Sequence, residues 1–155
     1  MPIEVNQEVT MYKNILIPTD GSELAGEAVK HGIAFAKAVG AKITALTVTE
    51  PFPFFAVNPE ILTDTPAVYE THARQQAEAT LSKVSEAAKA AGVACQIVHA
   101  EGTHAFETII KTAQQQGCDL ILMASHGRRG ISAIVLGSET VKVLTHSKIP
   151  VLVYR

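Results

Sequence analysis

The stretch Asn14-Ile15-Leu16-Ile17-Pro18-Thr19-Asp20-Gly21-Ser22 decides the fold, because it predicts a buried strand that turns directly into a helix. Its first part is apolar and rich in β-branched residues without helical spacing, and Asp20 and Gly21 are turn formers. Ser22 is a favoured type of helix N-cap, and Gly40 lies where a left-handed stop is expected. Between these two, apolar and small residues recur at three- and four-residue steps, namely Ala25, Ala28, Val29, Ile33 and Ala36.

The same alternation of strand and helix continues to the end of the chain. We predict further strands over 43–48, 94–100, 120–124 and 149–154, and helices over 68–91, around 106–113 and around 141–144. Most strands are continuously apolar, which is typical of a parallel sheet covered on both faces. The sequence therefore predicts an α/β, doubly wound domain with a five-stranded, mostly parallel sheet and four helices. Right-handed crossovers restrict the possible strand orders, and of these we predict the Rossmann-like order 3-2-1-4-5.

Length and charge restrict the class of protein. The chain has 155 residues and 16.5 kDa, the size of one domain, and its net charge of −2 lacks the basic excess of a nucleic-acid binder. No apolar run reaches the roughly 18 residues of a membrane span, and the two cysteines, Cys95 and Cys118, suit a reducing compartment. We expect a cytoplasmic protein without nucleic-acid or membrane partners.

The segment from Pro51 to Pro66 holds four of the seven prolines and three of the five phenylalanines. Proline disfavours helix interiors and central strands, so the segment predicts a long apolar loop. Such loops serve as lids or partner surfaces in some proteins and pack flat on their own domain in others. Both interpretations stay open at this point.

Two groups of residues could carry chemistry at the carboxyl ends of strands, where doubly wound sheets bind ligands. Asp20 follows strand one and could accept hydrogen bonds from a ribose hydroxyl or a base amine, although capping the next helix would also explain it. Strand four runs into Ser125-His126-Gly127-Arg128-Arg129-Gly130, and Gly137-Ser138-Glu139-Thr140 starts the last helix. Glycines let the backbone approach an anion, and N–H groups at a helix start bind phosphate, but ordinary turn geometry would equally require glycine.

Several established site types are disfavoured. Neither Gly-x-Gly-x-x-Gly nor Gly-x4-Gly-Lys-Ser/Thr occurs, and no paired Cys or helical His spacing accompanies His99, His104 and His126, so we predict no structural metal. There is no nucleophile beside a base and no carboxylate cluster for catalytic magnesium, so any ATP hydrolysis should be slow and incidental. A receiver-type switch needs an aspartate at the end of strand three, where this chain has Val98-His99-Ala100-Glu101.

From Met11 to Arg155 the chain resembles the universal stress protein family. The resemblance lies in Lys13 to Ser22, in the turn Ser125 to Gly130, in Gly137-Ser138 and in the closing Ile149-Pro150-Val151-Leu152-Val153. It implies a domain over 11–155 preceded by a tail over 1–10. The nucleotide-binding branch carries Gly-x2-Gly-x9-Gly-Ser/Thr, which is kept from Gly127 to Gly137-Ser138, with Ala124 in place of the first glycine. Because alanine restricts positive φ, binding requires an extended backbone at Ala124.

The resemblance implies a site for ATP or another adenine nucleotide, with or without Mg²⁺. Asp20 would contact the ribose or adenine, Val48 would offer backbone groups to the adenine edge, and the start of the last helix would meet the phosphates with Glu139 turned away from them. The implied nucleotide-binding residues are Pro18, Thr19, Asp20, Val48, Met123, Ala124, His126, Gly127, Arg128, Gly130, Gly137, Ser138, Glu139 and Thr140.

The resemblance also implies a homodimer that pairs its last strands through Val151, Leu152, Val153 and Tyr154, because an apolar edge strand would otherwise stay open to aggregation. Coverage of that edge by the tail over 1–10 is the alternative. The leading hypothesis is a small dimeric stress-response module regulated by adenine nucleotide, with regulatory protein partners. The runner-up is a family member that binds no nucleotide and acts only through protein partners. A third option is an enzyme that uses the loop over 51–66 as a lid.

Overall fold

The computed structural model describes residues 11–52, 65–127 and 135–155. The strands are β1 (Asn14–Pro18), β2 (Lys42–Thr49), β3 (Cys95–Glu101), β4 (Leu120–Ala124) and β5 (Val151–Tyr154). The helices are α1 (Glu23–Val39), α2 (Pro66–Ala91), α3 (Ala105–Gln115) and α4 (Ser138–His146).

The five strands form one sheet in the order β3-β2-β1-β4-β5, with every pair parallel. The predicted fold class and strand order are confirmed. Winding reverses between β1 and β4, since the chain proceeds from β1 to β2 on one side and later returns to β4 on the other. The carboxyl ends of β1 and β4 therefore lie side by side, which is the switch point at which such sheets bind ligands.

Local chemistry explains where the helices begin and end. The Ser22 side chain accepts a hydrogen bond from the Ala25 N–H (3.3 Å) at the start of α1, and Gly40 ends this helix with φ +73°. Helix α2 starts at Pro66, two residues before the predicted start, and Thr65 is its N-cap. The prediction that the loop extends through Pro66 was wrong, because proline at the first helical position loses no hydrogen bond.

Each face of the sheet carries its own core. On one face α1 and α2 pack on residues such as Ile15, Ile17 and Ile43, and on the other α3 and α4 pack on Leu16, Leu46 and Ile121. These strand residues are fully buried. Burial on both faces explains why the central strands are continuously apolar.

The two outer strands differ from the central ones. β3 consists of exposed and half-buried residues, with Ile97 48% exposed, and Leu152 on β5 is 38% exposed. Within the described parts of the chain, each of these strands has a neighbour on one side only. None of the helices described is both long and apolar enough to cross a membrane.

Candidate functional site

A cavity of 440 Å³ opens at the switch point, within the size range of small-molecule sites. Its walls come from the carboxyl ends of β1, β2 and β4 and from the amino ends of α3 and α4. Twelve residues that the resemblance implied line it, namely Pro18, Thr19, Asp20, Val48, Met123, Ala124, His126, Gly127, Gly137, Ser138, Glu139 and Thr140. The two remaining ones, Arg128 and Gly130, lie outside the described residues.

The turn after β1 places Asp20 in the wall of this cavity. Its Oδ1 accepts a hydrogen bond from the Ser22 N–H (2.9 Å), and Gly21 has φ +77°. Ser22, rather than Asp20, provides the side-chain cap of α1. Asp20 is therefore not the side-chain cap of α1. One of its carboxylate oxygens stabilises the turn before the helix, and the residue lines the cavity.

Val48 presents backbone groups to the cavity. In parallel pairs, alternate residues point their N–H and C=O to the same neighbour, and Leu46 points to β1, where its carbonyl accepts from the Thr19 N–H (2.8 Å). Val48 has the same parity, but the pairing of β1 with β2 ends at Pro18 and Leu46. The N–H and C=O of Val48 therefore face the space beyond the end of β1.

Ala124 is the last residue of β4 and its backbone is extended, since no described non-glycine residue has positive φ. The extended backbone that nucleotide binding requires at this position, where alanine replaces the first motif glycine, is therefore present. The Thr140 hydroxyl donates to the Ala124 carbonyl (3.1 Å), and Thr140 is 2% exposed. Its proton therefore ties α4 to β4, and of the two hydroxyls implied for phosphate contact only that of Ser138 lies on an exposed residue.

Helix α4 begins at the cavity without a side-chain cap. Gly137 is its N-cap, and the Gly137 N–H donates to the Ser125 carbonyl (2.7 Å). The first turn of a helix leaves its N–H groups without intrahelical acceptors, so those of Ser138, Glu139 and Thr140 are available donors. Together with the helix dipole they make this end of α4 attractive to an anion.

The Glu139 carboxylate is held at the start of α3. Its Oε2 accepts from the Phe106 N–H (2.8 Å), and its Oε1 pairs with Lys142 Nζ (3.0 Å). His104, the N-cap of α3, offers no side-chain hydrogen bond, so Glu139 supplies the missing cap from another helix. The carboxylate therefore points away from the first turn of its own helix, as expected.

Sequence reasoning missed seven further residues of the cavity wall, which lie on or next to α1, β2 and α3, namely Ala25, Leu46, Glu50, Thr103, His104, Ala105 and Ile109. Only their position in the fold could have pointed to them, because α3 starts at the same edge of the sheet as α4. Leu46, Val48, Ile109 and Met123 form an apolar wall suited to the face of a planar ring.

The other predicted features are distributed as follows. His99 Nε2 lies 2.8 Å from Thr49 Oγ1 and His126 Nδ1 lies 3.2 Å from Ser125 Oγ. Within 11–52, 65–127 and 135–155, no three His, Cys, Asp or Glu side chains group to hold a metal ion. The loop predicted after Pro51 falls mostly on residues 53–64, outside the described residues, and its first part contacts α2 where Phe52 meets Tyr69 with ring centroids 5.5 Å apart.

Known proteins resemble this chain over most of its length. The model of the universal stress protein family matches residues 11–155. Universal stress protein MJ0531 of Methanocaldococcus jannaschii is 34% identical over 145 residues, covering 94% of this chain and 83% of its own length. The chain belongs to the universal stress protein family.

Solved structures share the fold. The structure of MJ0577, a Methanocaldococcus jannaschii protein, superposes with a TM-score of 0.76 at 30% identity, over 92% of this chain and 95% of that one. A universal stress protein solved in complex with cAMP superposes with a TM-score of 0.68 at 23% identity, over 93% and 97% of the two chains. At that identity the second likeness concerns the fold alone.

Proposed function

We propose that this protein binds an adenine nucleotide at the switch-point cavity and acts as a small dimeric regulatory module of the stress response. The observation that carries the proposal is the meeting, in one cavity, of an apolar wall, the Val48 backbone groups and the open first turn of α4. These are the three features that a purine ring, its hydrogen-bonding edge and a phosphate require.

The residues present fit such a ligand. The extended backbone at Ala124 accommodates alanine in place of glycine, and the Glu139 carboxylate is withdrawn to α3 rather than pointing at the first turn of α4. The likeness to a universal stress protein in complex with cAMP adds that this fold can hold an adenine mononucleotide. The proposal covers the nucleotide with or without Mg²⁺.

The dimer is proposed through β5. This strand has β4 on one side and no described neighbour on the other, and its Leu152 side chain is 38% exposed. Pairing with the same strand of a second copy would satisfy the open backbone groups and bury apolar surface. Nucleotide occupancy would then change the surface that the dimer offers to regulatory partners.

The decisive experiment identifies the small molecules released from freshly purified, denatured protein by mass spectrometry, and titrates adenine nucleotides into stripped protein by calorimetry. Stoichiometric binding that is lost in a folded Asp20→Ala variant is the expected result. A Glu86→Gln variant, altered near the far end of α2, serves as the control and should bind like the wild type. No released nucleotide and no heat with AMP, ADP or ATP at two temperatures would favour the family member that acts only through protein partners.

A further inference from the structure

A second cavity, a groove of 610 Å³, runs between α1 and α2. Both helices follow the carboxyl end of one strand and lead to the amino end of the next, so they lie parallel. The helical part of the lining extends from Gly26 to Lys37 on α1 and from Thr80 to Ala91 on α2. At 1.5 Å per residue each wall is about 16 Å long, or about three turns of helix. Of the described residues, only Thr19 lines both this groove and the switch-point cavity, so the groove is a separate surface.

The base of the α1–α2 groove is apolar and recessed. It contains Val29, Ile33 and Val84, which are at most 6% exposed. Gly26 and Ala34 also line the groove and are exposed, and a Cβ atom built on Gly26 would meet nothing within 4 Å. None of the large apolar side chains that are exposed in the described ranges lines this groove. The groove therefore offers room above an apolar base rather than protruding apolar side chains.

Lysines stand on both walls of the groove, Lys30 and Lys37 on α1 and Lys83 on α2. All three are exposed, and no carboxylate of the described residues lies within ion-pair distance of them. The carboxylates of these two helices lie outside the lining, namely Glu23, Glu27, Glu70, Glu78 and Glu86.

The charge of the two walls can be counted completely. Every lining residue, together with its neighbours in the sequence, falls within the described ranges 11–52 and 65–127. The walls contribute three ammonium groups and no carboxylate. The groove thus combines an apolar base with two basic rims.

An acidic amphipathic helix is the occupant that fits these features. Its apolar stripe would pack on the base of the groove, and the small residues of the walls allow its backbone to approach α1 and α2 closely. Carboxylates on both sides of that stripe would meet the lysine ammonium groups, whose aliphatic stems can lie along the apolar surface. A lipid surface fits less well, because membrane binding inserts protruding apolar side chains, and those of this groove are recessed.

We infer that the α1–α2 groove is a docking site for an acidic amphipathic helix of a protein partner. The inference goes beyond the proposed function, because docking requires neither a bound nucleotide nor the β5 dimer. A contact of about three helical turns is small for an interface, so the complex is transient and its affinity depends on ionic strength.

The test uses the full-length protein without nucleotide and fluorescein-labelled synthetic peptides of about 12 residues, the length that spans the groove. The first peptide is a helix, stapled on its outer face, with a leucine stripe flanked on both sides by glutamates. The second carries lysine in place of each glutamate, and the third has the composition of the first without helical periodicity. Fluorescence anisotropy measures the affinities. Only the first peptide should bind, and its affinity should fall as salt is added.

Variants with matched controls locate the binding. Lys30→Gln combined with Lys83→Gln should weaken the first peptide by about 3- to 10-fold, as expected for two exposed ion pairs. Lys89→Gln combined with Lys111→Gln makes the same change of net charge on exposed lysines outside the lining, and the affinity should be unchanged.

A second pair of variants separates shape from charge. Ala34→Gln places a neutral side chain in the groove and should weaken the peptide several-fold. Ala38→Gln makes the same change on an exposed residue of α1 outside the lining and should have no effect. Loss of affinity in the lysine variants without loss in Ala34→Gln would mean that the peptide is held by diffuse charge, and the inference would be wrong.

The remaining outcomes also overturn the inference. Equal binding of the first and third peptides, or equal loss in both pairs of lysine variants, would show attraction without a docking site. If the peptide does not bind, sedimentation with phosphatidylserine–phosphatidylcholine vesicles that depends on Lys30 and Lys83 would assign the groove to a lipid surface. A change of oligomeric state in the same variants would assign it to a second copy of the chain. The nucleotide titrations are separate measurements, so the proposed function stands or fails independently.

Discussion

Gly127 lies so close to Asp20 that no side chain fits between them: a Cβ atom built on Gly127 would lie 2.5 Å from Asp20 Oδ2 and 3.5 Å from its Cγ. The loop after β4 thus passes directly against the carboxylate that follows β1. Gly127 does not have positive φ, so the close approach rather than the backbone conformation requires glycine here. The turn after β1 and the glycine turn after β4, which are distant in the sequence, therefore contact each other across the switch point.

Gly127→Ala should displace the Asp20 carboxylate and weaken nucleotide binding. The atom that must move is the far end of a side chain at the surface of the cavity, so unfolding should change by less than about 1 kcal/mol. Loss of a charged hydrogen bond to the ligand is worth about 1.5–3 kcal/mol, which predicts a roughly 10- to 100-fold weaker affinity. Calorimetric titration with AMP, beside thermal unfolding, measures both. Unchanged affinity would show that Asp20 does not contact the ligand.

Gly137→Ala should misplace the start of α4. A Cβ there would lie 3.2 Å from the Cα and Cβ of His126 and from the Ser125 carbonyl oxygen, so backbone atoms must give way. We expect the free energy of unfolding to fall by about 1 kcal/mol. The affinity for AMP should fall several-fold more than the affinity for adenosine, because the phosphate end of the cavity moves. Gly26→Ala is the matched control, since a Cβ there meets nothing within 4 Å. It should be neutral or stabilise α1 by about 0.5–1 kcal/mol.

Asn14→Ala should destabilise the whole domain by about 2–4 kcal/mol. Asn14 is 2% exposed, its Oδ1 accepts from the Thr44 hydroxyl (3.0 Å) and its Nδ2 donates to the Gln116 carbonyl (3.0 Å). The variant removes a hydrogen-bond partner from the buried Thr44 hydroxyl and from the half-buried Gln116 carbonyl. Denaturant unfolding measures the loss. Adding Thr44→Val should recover part of it, and no recovery would mean that the Thr44 hydrogen bond is not the source of the cost.

Leu152→Glu should dissociate the proposed homodimer without unfolding the chain. Its side chain is 38% exposed on β5, so a charge costs little in the monomer and much in an apolar interface. Light scattering after gel filtration should give the 16.5 kDa chain mass instead of twice that value. Ile97→Glu places the same charge on β3, at the opposite edge, and should remain dimeric. A reversed result would assign the interface to β3.

Protein stability should fall at alkaline pH in part because of Cys118. Burial raises the pKa of its thiol, and the Asp119 carboxylate adds to the rise, while a hydrogen bond with Thr44 and the charge of Lys42 oppose it. The unfolded thiol ionises near its ordinary pKa of about 8.5, before the folded one does, so the stabilising contribution is complete below that pH and is lost as pH rises through the folded pKa. Cys118→Ala should therefore give a shallower decline in the free energy of unfolding between about pH 8 and 10. An equal slope in both proteins would contradict this.

An element could be predicted from the sequence where its own residues carry the signal for it. The central elements could be predicted because each carries its own signal: the apolar run of β1, the spacing of α1 and the left-handed glycine that ends it at Gly40. Handedness and winding rules, which need no side-chain detail, restricted the possible strand orders, and the predicted order is the one observed. The start of α2 was misplaced, because Pro66 marks a helix start as readily as a loop.

The site was predictable only where residues follow strand ends in a recognisable pattern. Asp20, Gly127 and Gly137 were found in this way. Thr103 and His104, just before α3, and Ile109 on α3 were missed, because nothing in the neighbouring sequence suggests a ligand. The Thr140 hydroxyl was assigned to phosphate, and the fold uses its proton on the Ala124 carbonyl. Hydrogen-bond partners distant in the chain cannot be read from local spacing.

The sequence by itself determined the elements, their parallel winding and the edge of the sheet at which a ligand site must lie, because these depend on local propensity and chain connectivity. Tertiary structure alone decided that Ala124 is extended, that Asp20 meets Gly127 and that Glu139, which was expected to turn away from its own helix start, caps α3. The physical reason is that these contacts join residues far apart in the chain, such as Phe106 and Glu139, which are 33 residues apart. Such contacts depend on where packed helices place their ends, and no local sequence pattern specifies that.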